Sequence, residues 1–147
     1  MTRPSTLLLI ALLACACDDR GGDLSGSLGD VYDLSFDSVR ARLYPSDLSI
    51  EFVNGRGEVV VRVTGRRAAR EPAAGASFDL VSEGDVTGTS GGVDIPRIAR
   101  GTLTLTAFTA KQDAQVQGRF DGVFAAGSTE LSLSGSFSTR LEVVAAR

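Results

Sequence analysis

An alternation of apolar and polar residues with a period of two runs through most of the chain after residue 29. Successive side chains of a β-strand point to opposite faces of a sheet, so this period is typical of strands with one buried face. The clearest case is two alternating runs, residues 48–52 and 59–63, on either side of Asn54-Gly55. Two such runs around an Asn-Gly loop predict a β-hairpin.

Further runs with the same period predict additional strands. They cover residues 32–36, 39–43, 78–80, 102–107, 116–124 and 131–143. No stretch has the pattern of a convincing amphipathic helix, and antiparallel strands must close or cover their edges. We therefore predict an all-β fold, an antiparallel sandwich or a small curved barrel of about eight strands. An outer-membrane-spanning barrel is disfavoured, because the polar faces carry charges such as Arg40, Glu51 and Arg62.

A weak internal repeat marks the C-terminal third. The segments Val116-Gln117-Gly118-Arg119-Phe120 and Leu133-Ser134-Gly135-Ser136-Phe137 both read apolar-x-Gly-x-Phe. A glycine two residues before a phenylalanine leaves bare backbone over which a neighbouring aromatic ring can lie. Two copies are too few for a solenoid, and they indicate adjacent antiparallel strands that curve around one core.

Two segments that break the alternation are predicted to be long exposed loops, residues 65–75 and 83–92. The first holds Arg66, Arg67 and Arg70, the main concentration of positive charge. The second holds Ser90 within a Gly-x-Ser-x-Gly match. These four residues are our candidate interaction sites, because recognition commonly lies on loops carried by a rigid sheet. No aromatic residues interleave with the arginines, which argues against a single-stranded nucleic-acid site.

Composition limits the chemistry of the chain. It has no histidine, and its two cysteines are Cys15 and Cys17, at the N-terminal end. Zinc sites and Cys-His or Ser-His nucleophiles are thereby excluded from the body, so Ser90 is interpreted as part of a flexible turn. A formal net charge of −3 is too small to indicate a nucleic-acid partner.

Acidic residues are the remaining candidates for a metal site or for catalysis. Asp18, Asp19 and Asp23 lack the spacing and terminal glutamate of an EF-hand calcium loop. A hydrolase with paired carboxylates such as Asp113 and Asp121 requires the two groups to converge, and nothing in the sequence indicates that they do. We therefore predict a protein that is not an enzyme, with no catalytic residue, cofactor or metal.

The N-terminus has the features of an export signal. Arg3 precedes an apolar run at residues 6–17 that is shorter than a membrane-spanning helix and ends in small residues. Within it, Leu12-Leu13-Ala14-Cys15 resembles the lipobox of bacterial lipoprotein precursors. The resemblance implies cleavage before Cys15 and its lipidation, with Cys17 as the alternative. The departure is Leu13, where a small residue is more usual.

The resemblance also implies which membrane the protein is sorted to. Ala16 after Cys15 favours the outer membrane, whereas Asp18 after Cys17 would favour the inner membrane. The domains predicted are a signal peptide at 1–14, the lipidated cysteine with a flexible tether at 15–27, and a β domain at 28–147. The β domain is also faintly similar to uncharacterised small β-rich lipoproteins of Gram-negative envelopes, through its Gly-Thr-Leu-Thr-Leu-Thr strand at 101–106 and the two Gly-x-Phe strands.

The function expected from these features is that of a lipid-anchored envelope protein, attached to the membrane through its lipid, in the periplasm or at the cell surface. Its β domain is expected to be a non-enzymatic binding or structural module, with a protein of the envelope as the candidate partner. The alternative is a small barrel that binds an apolar, lipid-like ligand in a cavity lined by phenylalanines. Those residues are Phe108, Phe120, Phe124 and Phe137.

Overall fold

The computed structural model describes residues 20–145, in which eleven strands and one short 3-10 helix form the regular structure. In chain order the elements are β1 Gly22–Ser25, η1 Ser27–Asp30, β2 Ser38–Leu43, β3 Asp47–Val53, β4 Val59–Arg66, β5 Ser77–Asp79, β6 Gly84–Thr87, β7 Thr89–Ser90, β8 Val93–Asp94, β9 Arg97–Ala107, β10 Gln115–Ala126 and β11 Thr129–Val143.

Eight of these strands form one strongly curved sheet in the order β5-β9-β10-β11-β2-β3-β4-β6. All neighbours are antiparallel except β11 and β2, which pair in parallel over three residues. β1 pairs with the middle of β11, and β7 with β8 forms a separate small hairpin. The end strands β5 and β6 are consecutive in sequence, so the sheet curls into a nearly closed barrel. The all-β prediction is confirmed, as is its barrel alternative in this nearly closed form.

The core lies inside this barrel, where the inward residues of the alternating runs meet. The largest side chains that are fully buried there are Phe52, Phe78, Phe120, Phe124, Leu28, Leu48, Ile50, Leu80, Leu103, Leu105, Leu133 and Leu141. The predicted hairpin is present, because β3 and β4 pair from Asp47–Arg66 down to Val53–Val59. Strand alternation therefore places the apolar face of each run toward one common interior.

The two Gly-x-Phe segments face each other across the β10–β11 ladder. Gly118 lies opposite Phe137, and Phe120 lies opposite Gly135. A methyl group built on Gly118 would lie 2.7 Å from Cζ of Phe137, and one built on Gly135 would collide with the Phe120 ring. Each ring therefore lies over the bare backbone of the opposing glycine, which confirms the sequence interpretation of adjacent antiparallel strands around one core.

Glu51 lies on the outer face of β3 but is only 1% exposed, because arginine side chains cover it. Arg40 on β2 and Arg62 on β4 are its register partners on either side, and both form ion pairs with it. Burial alone would raise the pKa of Glu51, but the hydrogen bonds and charges of Arg40 and Arg62 outweigh it and hold the pKa below its usual value. This cluster ties three neighbouring strands together across the outside of the sheet.

The structure corrects two predicted elements. Residues 32–36 do not form a strand: Tyr32 and Phe36 are buried alternately, but their backbone joins no ladder and crosses from η1 toward β2. The segment Gly22–Ser25, assigned by sequence to the tether, pairs with β11 as β1. Asp23 accordingly accepts hydrogen bonds from Ser136 in β11. The folded domain thus begins before residue 28.

The predicted loops are also shorter than expected. β4 continues through Arg66, and residues 84–87 and 89–90 of the predicted second loop are strands β6 and β7. The predicted signal peptide, Cys15 and Cys17 lie outside the described residues. Within residues 20–145, no helix is long and apolar enough to cross a membrane.

Candidate functional site

An opening in the barrel lies at its seam, beside β6 and the first residues of β9. β5 pairs with Thr102, Leu103 and Thr104 of β9, and the chain then turns away at residues 80–83 to form β6 beside β4. The gap left below β5 is a cleft of about 950 Å³. This volume lies within the range of about 300–1,000 Å³ that is typical of ligand pockets.

The floor of the cleft is apolar and its rim is polar. Leu80, Val86 and Ile98 are buried and line the floor. The lining contains three acidic and three basic side chains, which are Glu58, Asp85, Asp94, Arg62, Arg66 and Arg97. A cleft of this kind suits a ligand with an apolar portion and little net charge.

The rim cations differ in how they are already engaged. Arg62 forms an ion pair with Glu51 at 2.9 Å, and Arg66 donates to the carbonyl oxygens of Ser82 at 2.6 Å and Gly84 at 3.3 Å. The backbone of Arg97 pairs with Ala125 of β10, but its exposed side chain forms no ion pair or hydrogen bond with any residue of the described range 20–145. Arg97 is thus the rim cation that is ready to contact a ligand.

The free edge of β6 is held by side chains instead of a neighbouring strand. Arg66 N–H donates to the carbonyl of Glu83, which makes residues 83, 85 and 87 the positions whose backbone faces β4. The backbone of Gly84 and Val86 therefore faces the cleft. The Gly84 carbonyl accepts from Arg66, and the Val86 N–H donates to the Asp85 carboxylate at 2.8 Å. These contacts satisfy two backbone groups that a further strand would otherwise bind.

One end of the cleft gathers acidic groups near a buried tyrosine. Tyr32 donates to the carbonyl of Val60 at 2.6 Å, directly beneath Gly88. Burial, with the nearby carboxylates of Asp94 and Glu58 adding to it, raises the pKa of Tyr32 to about 12. Tyr32 is therefore a neutral hydrogen-bond donor at physiological pH and fixes the end of the cleft structurally.

The predicted interaction residues occupy different surroundings. Arg66 lies on the cleft rim, as described above. Arg67 forms an ion pair with Glu71 at 2.6 Å and donates to the carbonyl of Tyr44, and Arg70 lies 3.5 Å from Glu83. The arginine cluster is thus tied to its own domain by carboxylates and carbonyls. Their role as interaction sites remains a prediction, with Arg66 the one placed at the cleft.

Ser90 is nearly buried and belongs to a tight hairpin. It pairs with Val93 across Gly91 and Gly92, whose φ angles of 57° and 80° are those of a two-residue turn of type I′. Such a turn needs positive φ at both central positions, which explains the paired glycines. A turn is present at Gly91-Gly92, but Ser90 itself lies in strand β7 and is buried, which corrects its predicted place in an exposed loop. The Gly-x-Ser-x-Gly match contains no strand-to-helix elbow.

The aromatic residues of the apolar-ligand alternative lie elsewhere. Phe120, Phe124 and Phe137 are buried in the common core, with Phe108 packed against it, and none of the four lines the cleft. The arrangement favours their role as core filling. The apolar lining residues that keep accessible surface are instead Val59, Val81, Ile95 and Pro96, because Leu80, Val86 and Ile98 are already buried beneath them.

The two candidate carboxylates are not brought together. Asp113 lies in the loop before β10, whereas Asp121 is exposed within that strand, six positions beyond Gln115. Six residues of strand span about 20 Å, too far for a shared site. Among residues 20–145, no group of three His, Cys, Asp or Glu side chains is arranged to hold a metal ion.

Val86, Ile98, Arg97 and Asp85 were not anticipated as site residues. Their local signal is weak, because β6 has only four residues and lies between glycine-rich segments. The alternation Asp85-Val86-Thr87 is the trace of a strand that could have indicated it. Comparison of the chain with protein-family models, with characterised proteins and with solved structures found no match.

Proposed function

We propose that this chain is an exported, lipid-anchored envelope protein whose β domain is a non-enzymatic binding module, and that the seam cleft is its ligand site. The observation that carries the proposal is the cleft itself, about 950 Å³ with an apolar floor, in a sheet whose other strands are paired side by side. Attachment through Cys15 is supported by the lipobox-like sequence before it.

The side chains of the cleft support binding more than catalysis. Its acids and bases are Asp, Glu and Arg, and several are already bound to other groups of the domain, as Arg62 is to Glu51. The partly exposed apolar residues of the lining, Val81, Ile95 and Pro96, offer surface whose burial drives association, and the exposed Arg97 offers a directed polar contact. A protein or a lipid-like molecule with a small apolar portion fits these groups.

The anchor and the ligand are tested together by a native mass spectrum of the protein purified gently from its own membranes. The N-terminal peptide is sequenced from the same sample. We expect acyl mass on Cys15 and an additional mass held non-covalently. An unacylated N-terminus would refute the anchor, and a spectrum with no bound mass under any mild condition would refute the ligand site.

The location of the ligand is tested by a matched pair of variants. Thr87→Trp places a large ring on the exposed rim of the cleft, whereas Thr106→Trp places the same ring on an exposed position of β9 beyond the stretch paired with β5. We expect the non-covalent mass to be lost in Thr87→Trp and kept in Thr106→Trp. Retention of the same mass by both variants would place the ligand elsewhere.

A further inference from the structure

We propose that a row of arginines on the outside of the barrel binds the phosphates of anionic lipid headgroups, in the membrane to which the chain is anchored. The arginine row consists of Arg140 on β11, Arg40 on β2 and Arg62 on β4. The inference rests on the proposed lipid anchor and adds a second ligand to the domain. It depends on the alignment of the arginines, on the burial of the carboxylate between two of them, and on the place where the chain enters the sheet.

The arginine row crosses four neighbouring strands in one line. Arg40 and Arg62 are the register partners of Glu51 on either side of β3. The parallel β11–β2 pairing starts one residue after Arg140 and one residue after Arg40, which places these two arginines side by side. The residue that follows each of them is buried, so strand alternation turns both arginines outward. Neighbouring strands lie about 4.8 Å apart, and the two side chains therefore start at about that separation.

A ligand that approaches the arginine row meets cations, because the carboxylate lies beneath them. Glu51 is 1% exposed, whereas the side chains of Arg40 and Arg62 are 40% and 44% exposed. Each of these arginines uses its Nε–H to bind Glu51, and a guanidinium has five N–H donors, so further donors of both remain for a ligand. The buried carboxylate also fixes the two guanidiniums, which lowers the entropy lost when they bind.

No carboxylate separates Arg140 from Arg40 in the row. Within residues 20–145, Arg140 forms no ion pair, and its side chain donates to the Asp113 carbonyl oxygen at 3.0 Å. The Asp113 carboxylate instead accepts from the Gln112 amide at 3.3 Å. Like charges that face each other on neighbouring strands are destabilising, and an anion that binds both guanidiniums removes this repulsion. Phosphate suits the position, because guanidinium groups form bidentate, charge-assisted hydrogen bonds with it.

The surface around the row is positive as a whole. Among the outward-facing residues of β2, β3, β4 and positions 140–142 of β11, five arginines and three acids give a net charge of +2. They are Arg40, Arg42, Arg62, Arg66, Arg140, Asp47, Glu51 and Glu142. Such a face is attracted to a membrane that contains anionic lipids.

The chain enters the sheet beside the same arginines. The Ser138 N–H donates to the Gly21 carbonyl oxygen at 2.8 Å, two positions before Arg140. The six residue steps from Cys15 to Gly21 span at most about 21 Å in any conformation. A domain of this size has a radius of gyration of about 14 Å, which corresponds to a diameter of about 36 Å. A lipid on Cys15 therefore keeps the side that carries Arg40 and Arg140 close to the bilayer, and the opposite side cannot reach it.

Docking is measured on the protein purified from its own membranes and incorporated into nanodiscs. The discs contain phosphatidylcholine alone or with about 30% phosphatidylglycerol, and each includes a lipid with a spin-labelled headgroup that broadens nearby amide resonances. The amides of Ala41 and Leu141 report on the arginine row, and Ala125, opposite Glu130, reports on the far end of the β10–β11 ladder. We expect phosphatidylglycerol to increase broadening at Ala41 and Leu141 but not at Ala125, and about 0.5 M NaCl to reverse the increase.

A matched pair of variants tests the site. Arg140→Gln removes one cation of the row, whereas Arg100→Gln removes an equal charge from an exposed ion pair with Glu130. One basic residue near an anionic surface contributes a factor of about five to binding. We expect Arg140→Gln to lower the ratio of docked to undocked domain about fivefold in the phosphatidylglycerol discs, and Arg100→Gln to leave it unchanged. Equal effects of the two variants would overturn the site and leave only attraction by net charge.

The outcomes separate this inference from the proposed anchor, because the acyl mass on Cys15 is measured in the same sample. Acylated protein with equal broadening in both kinds of disc would overturn the docking and leave the anchor intact. Protein without an acyl chain would overturn the anchor and, with it, the membrane as the ligand of the row. Inorganic phosphate is titrated separately into the phosphatidylcholine discs. Saturation of shifts at Ala41 and Leu141 below about 1 mM phosphate, without a response to phosphatidylglycerol, would assign the row to a soluble anion and overturn lipid docking.

Discussion

Replacing Gly135 with alanine tests the packing on which the β10–β11 pair depends. Gly135 lies in β11 with Phe120 opposite on β10 and with β1 on its other side. A methyl group at this position would lie closer than 3.0 Å to the Phe120 ring, to the Asp23 carbonyl oxygen and to Cδ2 of Leu24. Real Cβ atoms essentially never approach other atoms this closely. The Gly135→Ala variant must therefore displace a ring or separate two strands.

The expected loss follows from two opposing effects. Overpacking a tight core costs about 1–3 kcal/mol, and three simultaneous collisions place Gly135→Ala at the upper end. Alanine reduces the conformational freedom of the unfolded chain, which returns about 0.4–1 kcal/mol. We expect the free energy of unfolding to fall by about 2 kcal/mol, which lowers Tm by about 6–10 °C for a domain of this size.

The assay is equilibrium unfolding in urea, followed by circular dichroism and repeated as a thermal scan. Gly29→Ala is the matched control, because the nearest atom to a methyl group there is Cδ1 of Leu34 at 3.4 Å, an ordinary contact at the limit of tightness. Gly29 has no positive φ, so the control carries the alanine effect on the unfolded chain without the collision. We expect its stability to change by less than about 1 kcal/mol.

A second substitution identifies the collision that matters. Phe120→Leu replaces the ring that meets the new methyl group with a smaller side chain. The double variant Gly135→Ala, Phe120→Leu should therefore lose about 1 kcal/mol less unfolding free energy than the sum of the losses in the two single variants. A Gly135→Ala variant as stable as Gly29→Ala would refute the packing argument. Strict additivity in the double variant would refute the role of the ring and leave the Asp23 carbonyl and Leu24 as the cause.

Two further predictions concern buried polar groups. Glu51→Gln leaves Arg40 and Arg62 without their buried carboxylate, and we expect a loss of about 2 kcal/mol at pH 7 in urea unfolding. Because the pKa of Glu51 is lowered in the folded state, its contribution to stability is present above roughly pH 4.3 and is lost as the pH falls further. The stability of Glu51→Gln should therefore fall less in acid than that of the unmodified domain. An equal fall in both proteins would contradict this. Tyr32→Phe removes the hydrogen bond to the Val60 carbonyl and should cost about 1–2 kcal/mol by the same measurement. Since the pKa of Tyr32 is raised to about 12, its contribution to stability is complete below about pH 10 and is lost as the pH rises through 12. In an ultraviolet titration of tyrosine ionisation, the most alkaline phase should be missing from Tyr32→Phe. Persistence of that phase would refute its assignment to Tyr32.

The parts of the fold that could be predicted from sequence are those with local signals. The β3–β4 hairpin follows from two alternating runs around Asn54-Gly55. The β10–β11 pair follows from the Gly-x-Phe repeat, because each glycine leaves room for the opposing ring. In both cases the residues that specify the pairing lie within a few tens of positions of each other, so pattern and structure agree.

Other elements depend on pairing between distant segments, which no local pattern reports. Glu142 joins Arg42 across 100 positions of sequence, and this contact accompanies the parallel β11–β2 pairing that joins the two parts of the sheet. Gly22–Ser25 resembles a tether by composition and becomes a strand only because β11 offers it an edge. The run at residues 32–36 has strand alternation, yet the backbone crosses between elements without a partner strand.

The seam cleft has the same origin, since no single segment specifies it. Eight strands nearly complete the barrel, but β5 and β6 are consecutive, and the short turn at residues 80–83 must carry the chain from the β9 side of the seam to the β4 side. β5 therefore fills only the part of the seam beside Thr102–Thr104. Along the remaining gap, backbone groups of β6 have no neighbouring strand to bind. Each such group costs about 1–3 kcal/mol if it is buried without a hydrogen-bond partner. Arg66 and Asp85 reduce that cost by binding the Gly84 carbonyl and the Val86 N–H. The domain can therefore remain folded with its seam open, which is the condition that a site for an exchangeable ligand requires.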